Sequence, residues 1–141
     1  MRWAIFLTAA LVTLALDQST KFLAERFLPV APRPLTRSWS LRHALNRDHL
    51  FIRRRSYFLL LWLATVLLTL LWLNHSALEA SPLACGALGA ALGGCTGNTF
   101  DRISRGGVID FIALPRVSLF NLADLAIVAA AALLGHNYLL R

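Results

Sequence analysis

Four apolar runs in a chain of 141 residues leave little choice of architecture. They cover Trp3 to about Phe22, Tyr57 to Leu73, Pro82 to Phe100 and Leu119 to about Leu134, and each reaches or approaches the roughly 20 residues that a spanning helix needs. Hydrocarbon offers no partner to a backbone N–H or C=O, so segments of this kind become helices that satisfy their own backbone. The composition agrees: 57% of the residues are hydrophobic, only 15% are charged, and the mean hydropathy is +0.62. Such values fall outside the norm for soluble globular domains. The expected fold is an all-α membrane protein: one integral membrane domain over residues 1–141, with four transmembrane helices at about 3–22, 57–73, 82–100 and 119–134. Loop 1, residues 23–56, sets Pro29, Pro32 and Pro34 among short apolar stretches and is expected to form a small extended, β-like extramembrane cap; residues 101–118 form a second loop. The first run follows Arg2 as a signal peptide would, but no small-x-small cleavage site comes after it, and it reads as a retained helix.

The acidic residues are few and oddly placed. There are seven, and Asp101, Asp110 and Asp124 fall within 24 residues flanked by apolar sequence. Carboxylates beside hydrocarbon are costly unless they pair with a cation, with each other or with a substrate, so a functional site is the default expectation. The uninterrupted apolar part of the first run, Trp3 to Leu16, has 14 residues. At about 1.5 Å per residue that falls short of a hydrocarbon core of about 30 Å, so the helix must carry Asp17, Gln18, Thr20 and Lys21 with it. Asp17 and Lys21 are four apart and share a helix face, as an anchor of helix depth or as part of a site. Alternation of four helices places Asp17 and Lys21, Asn46 of loop 1, Asn98 and Asp101, and Asn121 and Asp124 on one membrane face. Glu25 and Glu79 read as ordinary solvated charges.

Packing and chemistry separate along the third run. Gly89-x-x-x-Gly93-x-x-x-Gly97 is a small-residue surface that lets another helix backbone approach closely, which would fix Asn98 and Asp101 against their neighbours. Thr65, Thr69 and Thr96 can bond between helices or to their own backbone. Cys85 and Cys95 lie ten apart on one helix, too far for a disulfide, and read as packing residues. His43 and His49 with Asp48 fit no standard metal spacing and lie beside the cations Arg42 and Arg47, so no metal is expected. A Ser/Lys hydrolase using Lys21 with Ser104 or Ser118 has no local motif to support it.

Four blocks then carry a resemblance. Asp17-Gln18-Ser19-Thr20-Lys21, Gly93-Gly94-Cys95-Thr96-Gly97-Asn98-Thr99-Phe100-Asp101-Arg102, Gly107-Val108-Ile109-Asp110-Phe111 and Phe120-Asn121-Leu122-Ala123-Asp124 resemble, in this order, the signature blocks of the lipoprotein signal peptidases (signal peptidase II). The resemblance implies an intramembrane aspartyl endopeptidase that removes signal peptides from lipid-modified prolipoproteins, with Asp110 and Asp124 as the catalytic dyad. It implies that Asp17, Lys21, Asn46, Asn98, Asp101, Arg102 and Asn121 support the dyad or hold substrate, Arg102 through a fork that can grip peptide carbonyls. Asp101 is as readily a partner that orients Arg102 or caps the loop after it. No cofactor or metal is implied. The partners expected are a diacylglyceryl-modified prolipoprotein and membrane lipids, with no nucleic acid, and the chain is expected to act as a monomer. The location implied is the bacterial cytoplasmic (inner) membrane, multi-pass, with the active site toward the outer face.

Two features run across the resemblance. The family's Asn-x-Gly-x-x-Phe block is matched by Asn46-Arg47-Asp48-His49-Leu50-Phe51, in which Asp48 stands where the glycine is usual. This motivates an alternative reading, a non-cleaving paralogue that binds a lipidated peptide or lipid; a proton-conducting role for the buried aspartates is a weaker third. Moreover, 12 of the 14 Lys and Arg fall on the face that carries the aspartates, which the positive-inside rule would turn to the cytoplasm. Four ordered blocks outweigh that bias, and basic side chains on an outer face can hold anionic head groups.

Overall fold

A computed structural model describes residues 1–36, 39–47, 62–67, 69, 81–114 and 119–139. Among the described residues, three long helices and four short strands follow one another: α1 (Arg2–Phe27), β1 (Arg33–Pro34), β2 (Ser40–Asn46), α2 (Pro82–Arg105), β3 (Val108–Ala113), β4 (Leu119–Phe120) and α3 (Leu122–Leu139). Residues 62–67, in the second apolar run, are helical as well; most of that run, Glu79, and the Asp48 to Phe51 part of the Asn46 block lie outside the described residues. Among the described residues, α1 is long and apolar enough to cross a membrane, and Leu122–His136 is a shorter apolar helix.

The helix ends differ from the expected ones for identifiable reasons. α1 runs on to Phe27 because Asp17 and Lys21 are paired inside the bundle and do not mark a boundary. It stops where Leu28 turns extended (φ −93°, ψ 135°), as a residue before proline is biased to do. α2 is capped at its start by Ser81, whose hydroxyl accepts from the Ala84 N–H, with Pro82 in its first turn. It continues past Phe100 to Arg105, where Gly106 in the left-handed region (φ 71°) ends it. The fourth run begins as strand: Leu119–Phe120 pairs with β3, and the helix starts only after Asn121.

Small residues set how α2 sits. A Cβ on Gly89 or Gly93 would run into the backbone of Phe6 or Ala10 of α1, and one on Gly97 would run into the Asp17 carboxylate. On its other side, a Cβ on Gly94 would lie 2.8 Å from the Ala123 carbonyl oxygen of α3. Contacts progress from Phe6 beside Gly89 to Asp17 beside Gly97, so α1 and α2 run parallel; Ala123 and Ile127 beside Gly94, with Asp124 beside Asn98, make α3 antiparallel to α2. The apolar core, Phe6 and Cys85 with Ile5, Leu88 and Leu92, therefore gathers at one end, and the polar residues gather at the other.

The strands form one antiparallel sheet in the order β1-β2-β3-β4. Its register sets Ala44 opposite Asp110 and Asn46 opposite Val108, with an irregularity between Leu41 and Ala44. The extended cap draws strands from loop 1, as expected, and also from the segment between α2 and α3, where Gly106 and Gly107 turn the chain into the strand that carries Asp110. Gly107 permits the close approach, since a Cβ there would lie 2.8 Å from the Asn46 carbonyl oxygen.

Candidate active site

The polar end is built from three adjoining layers. The deepest is an ion cluster between α1 and α2. Lys21 Nζ lies 2.7 Å from Asp17 Oδ2 and 2.8 Å from Asp101 Oδ2, and it donates to Asn98 Oδ1 at 2.8 Å; all three charged side chains are fully buried. A buried ammonium with three donors and three acceptors in reach is satisfied, which offsets a desolvation cost of several kcal/mol per ion. Asp17 uses its other oxygen to accept from the Ala123 N–H at 3.0 Å, joining α1 to the first turn of α3.

The middle layer is a pair of amides. Asn98 Nδ2 donates to Asp124 Oδ1 at 2.8 Å, and Asn121 Nδ2 donates both to Asn98 Oδ1 at 3.1 Å and to Asp110 Oδ1 at 2.8 Å. Asn121 also caps α3: its Oδ1 accepts from the Asp124 N–H at 3.0 Å, while Asp124 Oδ2 accepts from the Asn121 N–H at 3.2 Å. This reciprocal capping box explains why the fourth run becomes helical at Leu122, and it fixes where Asp124 points.

The outer layer is the pair of carboxylates. Asp110, on β3, is nearly fully buried and accepts from Asn46 Nδ2 of β2 at 3.0 Å and from Asn121. Burial raises its pKa above the usual carboxylate range and the Asp124 charge pushes the same way, while the Asn46 and Asn121 hydrogen bonds and the Lys21 charge pull it down. Asp124, half-buried, faces a cleft of about 320 Å³ lined, among the described residues, by Trp62, Thr65, Cys95, Asn98, Thr99, Arg102, Asp124 and Ile127. Arg102 lines this cleft, and its Nη1 lies 3.4 Å from the Asn98 carbonyl oxygen one turn back. The arrangement joins one carboxyl biased toward its protonated form, a second beside a cleft, and a guanidinium on the cleft wall.

All nine residues singled out in the sequence stand at this end of the molecule, and they do so in the three layers just described. Asp101 takes its cations from Lys21 and Arg105, and it accepts from the Ile109 N–H at 3.5 Å, tying α2 to the residue before Asp110. Two participants went without a role in the sequence reading. Gln18 Nε2 lies within 3.1 to 3.3 Å of Asp17 Oδ2, the Gly97 carbonyl oxygen and Asp101 Oδ1. Arg105 binds Asp101 and donates to Gln18 Oε1 at 3.2 Å. The signal for Arg105 was present, since it stands four residues after Asp101 on one helix face. The remaining candidates serve the scaffold. Ser104 and Thr69 bond carbonyls of their own helices, and Thr96 does so while also accepting from Trp62 Nε1. Ser118 and His49 lie outside the described residues.

The fold and site define a membrane protein in which two carboxyls are joined through a pair of amides and one of them, Asp124, lines a cleft. A solved structure described as a bacterial membrane enzyme, determined in meso at 2.3 Å, shares this fold with a TM-score of 0.80 at 18% identity over 95% of this chain and 87% of that one. The family model described as signal peptidase (SPase) II matches residues 9–140. A lipoprotein signal peptidase of Caldicellulosiruptor bescii is 33% identical over 94% of this chain and 86% of that protein. One of Mycolicibacterium smegmatis is 35% identical over 94% of this chain, which spans 60% of that relative's length. The chain belongs to the signal peptidase II family.

Proposed function

We propose that this protein is an aspartic endopeptidase that cuts the signal peptide from lipid-modified prolipoproteins, with Asp110 and Asp124 as its dyad. The observation that carries the reading is the amide relay: Asp110, Asn121, Asn98 and Asp124 form one hydrogen-bonded chain, and Asp124 opens on the cleft. Two carboxyls in one low-dielectric site do not both ionise readily and share a proton, which burial biases toward Asp110. Asp124 takes a proton from water as the water oxygen bonds to the scissile carbonyl carbon, and Asp110 gives its proton to the carbonyl oxygen. Collapse of the resulting diol returns that proton to Asp110, and the proton on Asp124 passes to the leaving amine nitrogen. No covalent intermediate is formed. Arg102 grips a peptide carbonyl from the cleft wall, and the Lys21 cluster holds Asn98 in place.

In this reading the chain is a single membrane domain of four spans that acts as a monomer in the bacterial inner membrane, its dyad facing outward among lipid head groups. Labelling of a cysteine introduced near position 40 by an impermeant reagent in intact cells is the expected outcome for that orientation; protection would reverse it. The activity is tested by incubating the purified protein with a diacylglyceryl-modified lipobox peptide and mapping the products by mass spectrometry. One cut immediately ahead of the modified cysteine is expected. Binding without cutting would favour the non-cleaving alternative.

A further inference from the structure

We infer that Arg105 is a positioning residue that balances the charge of the buried cluster behind the dyad and thereby sets the pH range and rate of peptide cleavage; this rests on the proposed activity. Arg105 is the last residue of α2, immediately before the Gly106 turn. Its Nη1 binds Asp101 Oδ1 and donates to Gln18 Oε1 at 3.2 Å, its Nε lies 3.9 Å from Glu25, and its guanidinium carbon lies 6.0 Å from the Phe100 ring centroid. The side chain is 24% exposed, whereas the Asp101 carboxylate it serves is fully buried. It is thus held on several sides by α1 and by its own helix, and it is absent from the lining of the substrate cleft.

Charge counting gives it a role. Asp17 and Asp101 are two buried carboxylates, and Lys21 between them is one ammonium, so the three together carry a net negative charge until Arg105 is added. The cluster meets the dyad by two short routes. Lys21 holds Asn98 Oδ1, and Asn98 holds Asp124; Asp101 accepts the Ile109 N–H, and Ile109 precedes Asp110. Among the described residues, the charged and titratable groups that face this cluster and the dyad are Asp17, Lys21 and Glu25 of α1, Cys95, Asp101 and Arg102 of α2, Asp110 of β3 and Asp124 of α3. Removing the Arg105 charge leaves Asp17, Lys21 and Asp101 with one uncompensated negative charge beside the dyad. A like charge disfavours ionisation of the dyad, which titrates as a unit, so its singly ionised form would appear only at higher pH. Lys21 would also be drawn toward Asp101, loosening its hold on Asn98.

The test compares the parent with R105M, R105K and the double variant D101N/R105M, reading kcat and KM on a diacylglyceryl-modified lipobox peptide across pH, with thermal unfolding in parallel. R105M is expected to lose about 30-fold in kcat with KM within about two-fold, because a small displacement of catalytic groups costs rate on the order of 100-fold. Its acid limb should move up by about half a pH unit, the effect of one partly screened charge. R105K should recover the parent's acid limb, and D101N/R105M, in which both charges are gone, should recover it as well. An R105M enzyme with the parent's kcat and limb, a rate loss with an unshifted limb, or an R105K limb displaced like that of R105M would each overturn the inference. If R105M does not fold, R105K and the double variant decide it by the same limb. A parent that leaves the peptide uncut refutes the proposed activity itself, a result separate from any difference among the Arg105 variants.

Discussion

Asn121 performs two tasks that substitution can separate. Its carbonyl caps α3 through the Asp124 N–H, and its amide nitrogen bridges Asn98 to Asp110. Asn121→Ala removes the cap, worth about 1 kcal/mol. It also removes two bridging hydrogen bonds, each worth roughly 1 kcal/mol, with somewhat more for the one to a carboxylate. Asn98 Oδ1 keeps Lys21 at 2.8 Å, and the Asp110 carboxyl keeps Asn46 at 3.0 Å on Oδ2 although its Oδ1 loses the Asn121 bond, so each group retains one donor. The expected loss of stability is therefore about 2–4 kcal/mol rather than the larger penalty of a stranded buried charge. Serine is a good N-cap residue but is too short to bridge, so Asn121→Ser should recover about 1 kcal/mol of the loss. The rate should fall on the order of 100-fold in both variants, since both lose the relay that aligns the carboxyls. The pH profile adds a directional check. The Asn121 hydrogen bond lowers the Asp110 pKa, so its loss leaves Asp110 protonated to higher pH and moves the alkaline limb up in both variants. Thermal unfolding in detergent gives the first quantity, and cleavage of a lipobox peptide across pH gives the others. Serine restoring rate as well as stability, or either variant keeping the parent's alkaline limb, would refute the separation of tasks.

Other outcomes follow from the same contacts. Asn46→Ala removes the second hydrogen bond that lowers the Asp110 pKa, so its alkaline limb should also move up, while the α3 cap and helix stability stay as they are. Asp110→Asn should flatten part of the stability-against-pH curve: a carboxyl raised on folding stabilises fully below its unfolded pKa, and that contribution is lost as pH rises through the folded value. Unfolding of the parent should therefore ease over that window while unfolding of the variant does not. Gly93→Ala places a methyl against the Ala10 carbonyl of α1 and should cost about 1–3 kcal/mol as the helices part, whereas Gly135→Ala, whose methyl would meet nothing within 4 Å among the described residues, should be neutral or mildly stabilising by thermal unfolding.

Much of the architecture was legible because a membrane chain advertises its helices by length and apolarity, and parity alone brings alternate ends together. The Gly89, Gly93 and Gly97 stripe likewise announced a close helix contact, and the structure supplies its partner, α1. Less legible were the points where a polar residue could end a helix or be paired within one. Asp17 and Lys21 offered both readings on spacing alone, and only the arrival of Asp101, 80 residues after Lys21 in the chain, resolves them into a buried cluster. Leu119 and Phe120 are as apolar as the helix that follows, so nothing local separated strand from helix; pairing with Ile112 and Ala113 did. At the site, the residue types were visible but the wiring was not. That Asn98 and Asn121 connect the two carboxyls depends on tertiary placement of three elements, α2, β3 and α3, and Gln18 and Arg105 gain their roles only through contacts across α1 and α2.

In the proposed mechanism Asp110 and Asp124 cut a peptide they do not need in order to hold it. That mechanism is tested most directly by measuring, for the parent, Asp110→Asn and Asp124→Asn, both the affinity for a diacylglyceryl-modified lipobox peptide and its rate of cleavage. Affinities should lie within about three-fold of one another, since removing a group that acts only in the transition state leaves ground-state binding nearly unchanged, and cleavage should fall by at least about 1,000-fold in each variant. Cleavage that persists in either variant would contradict that mechanism.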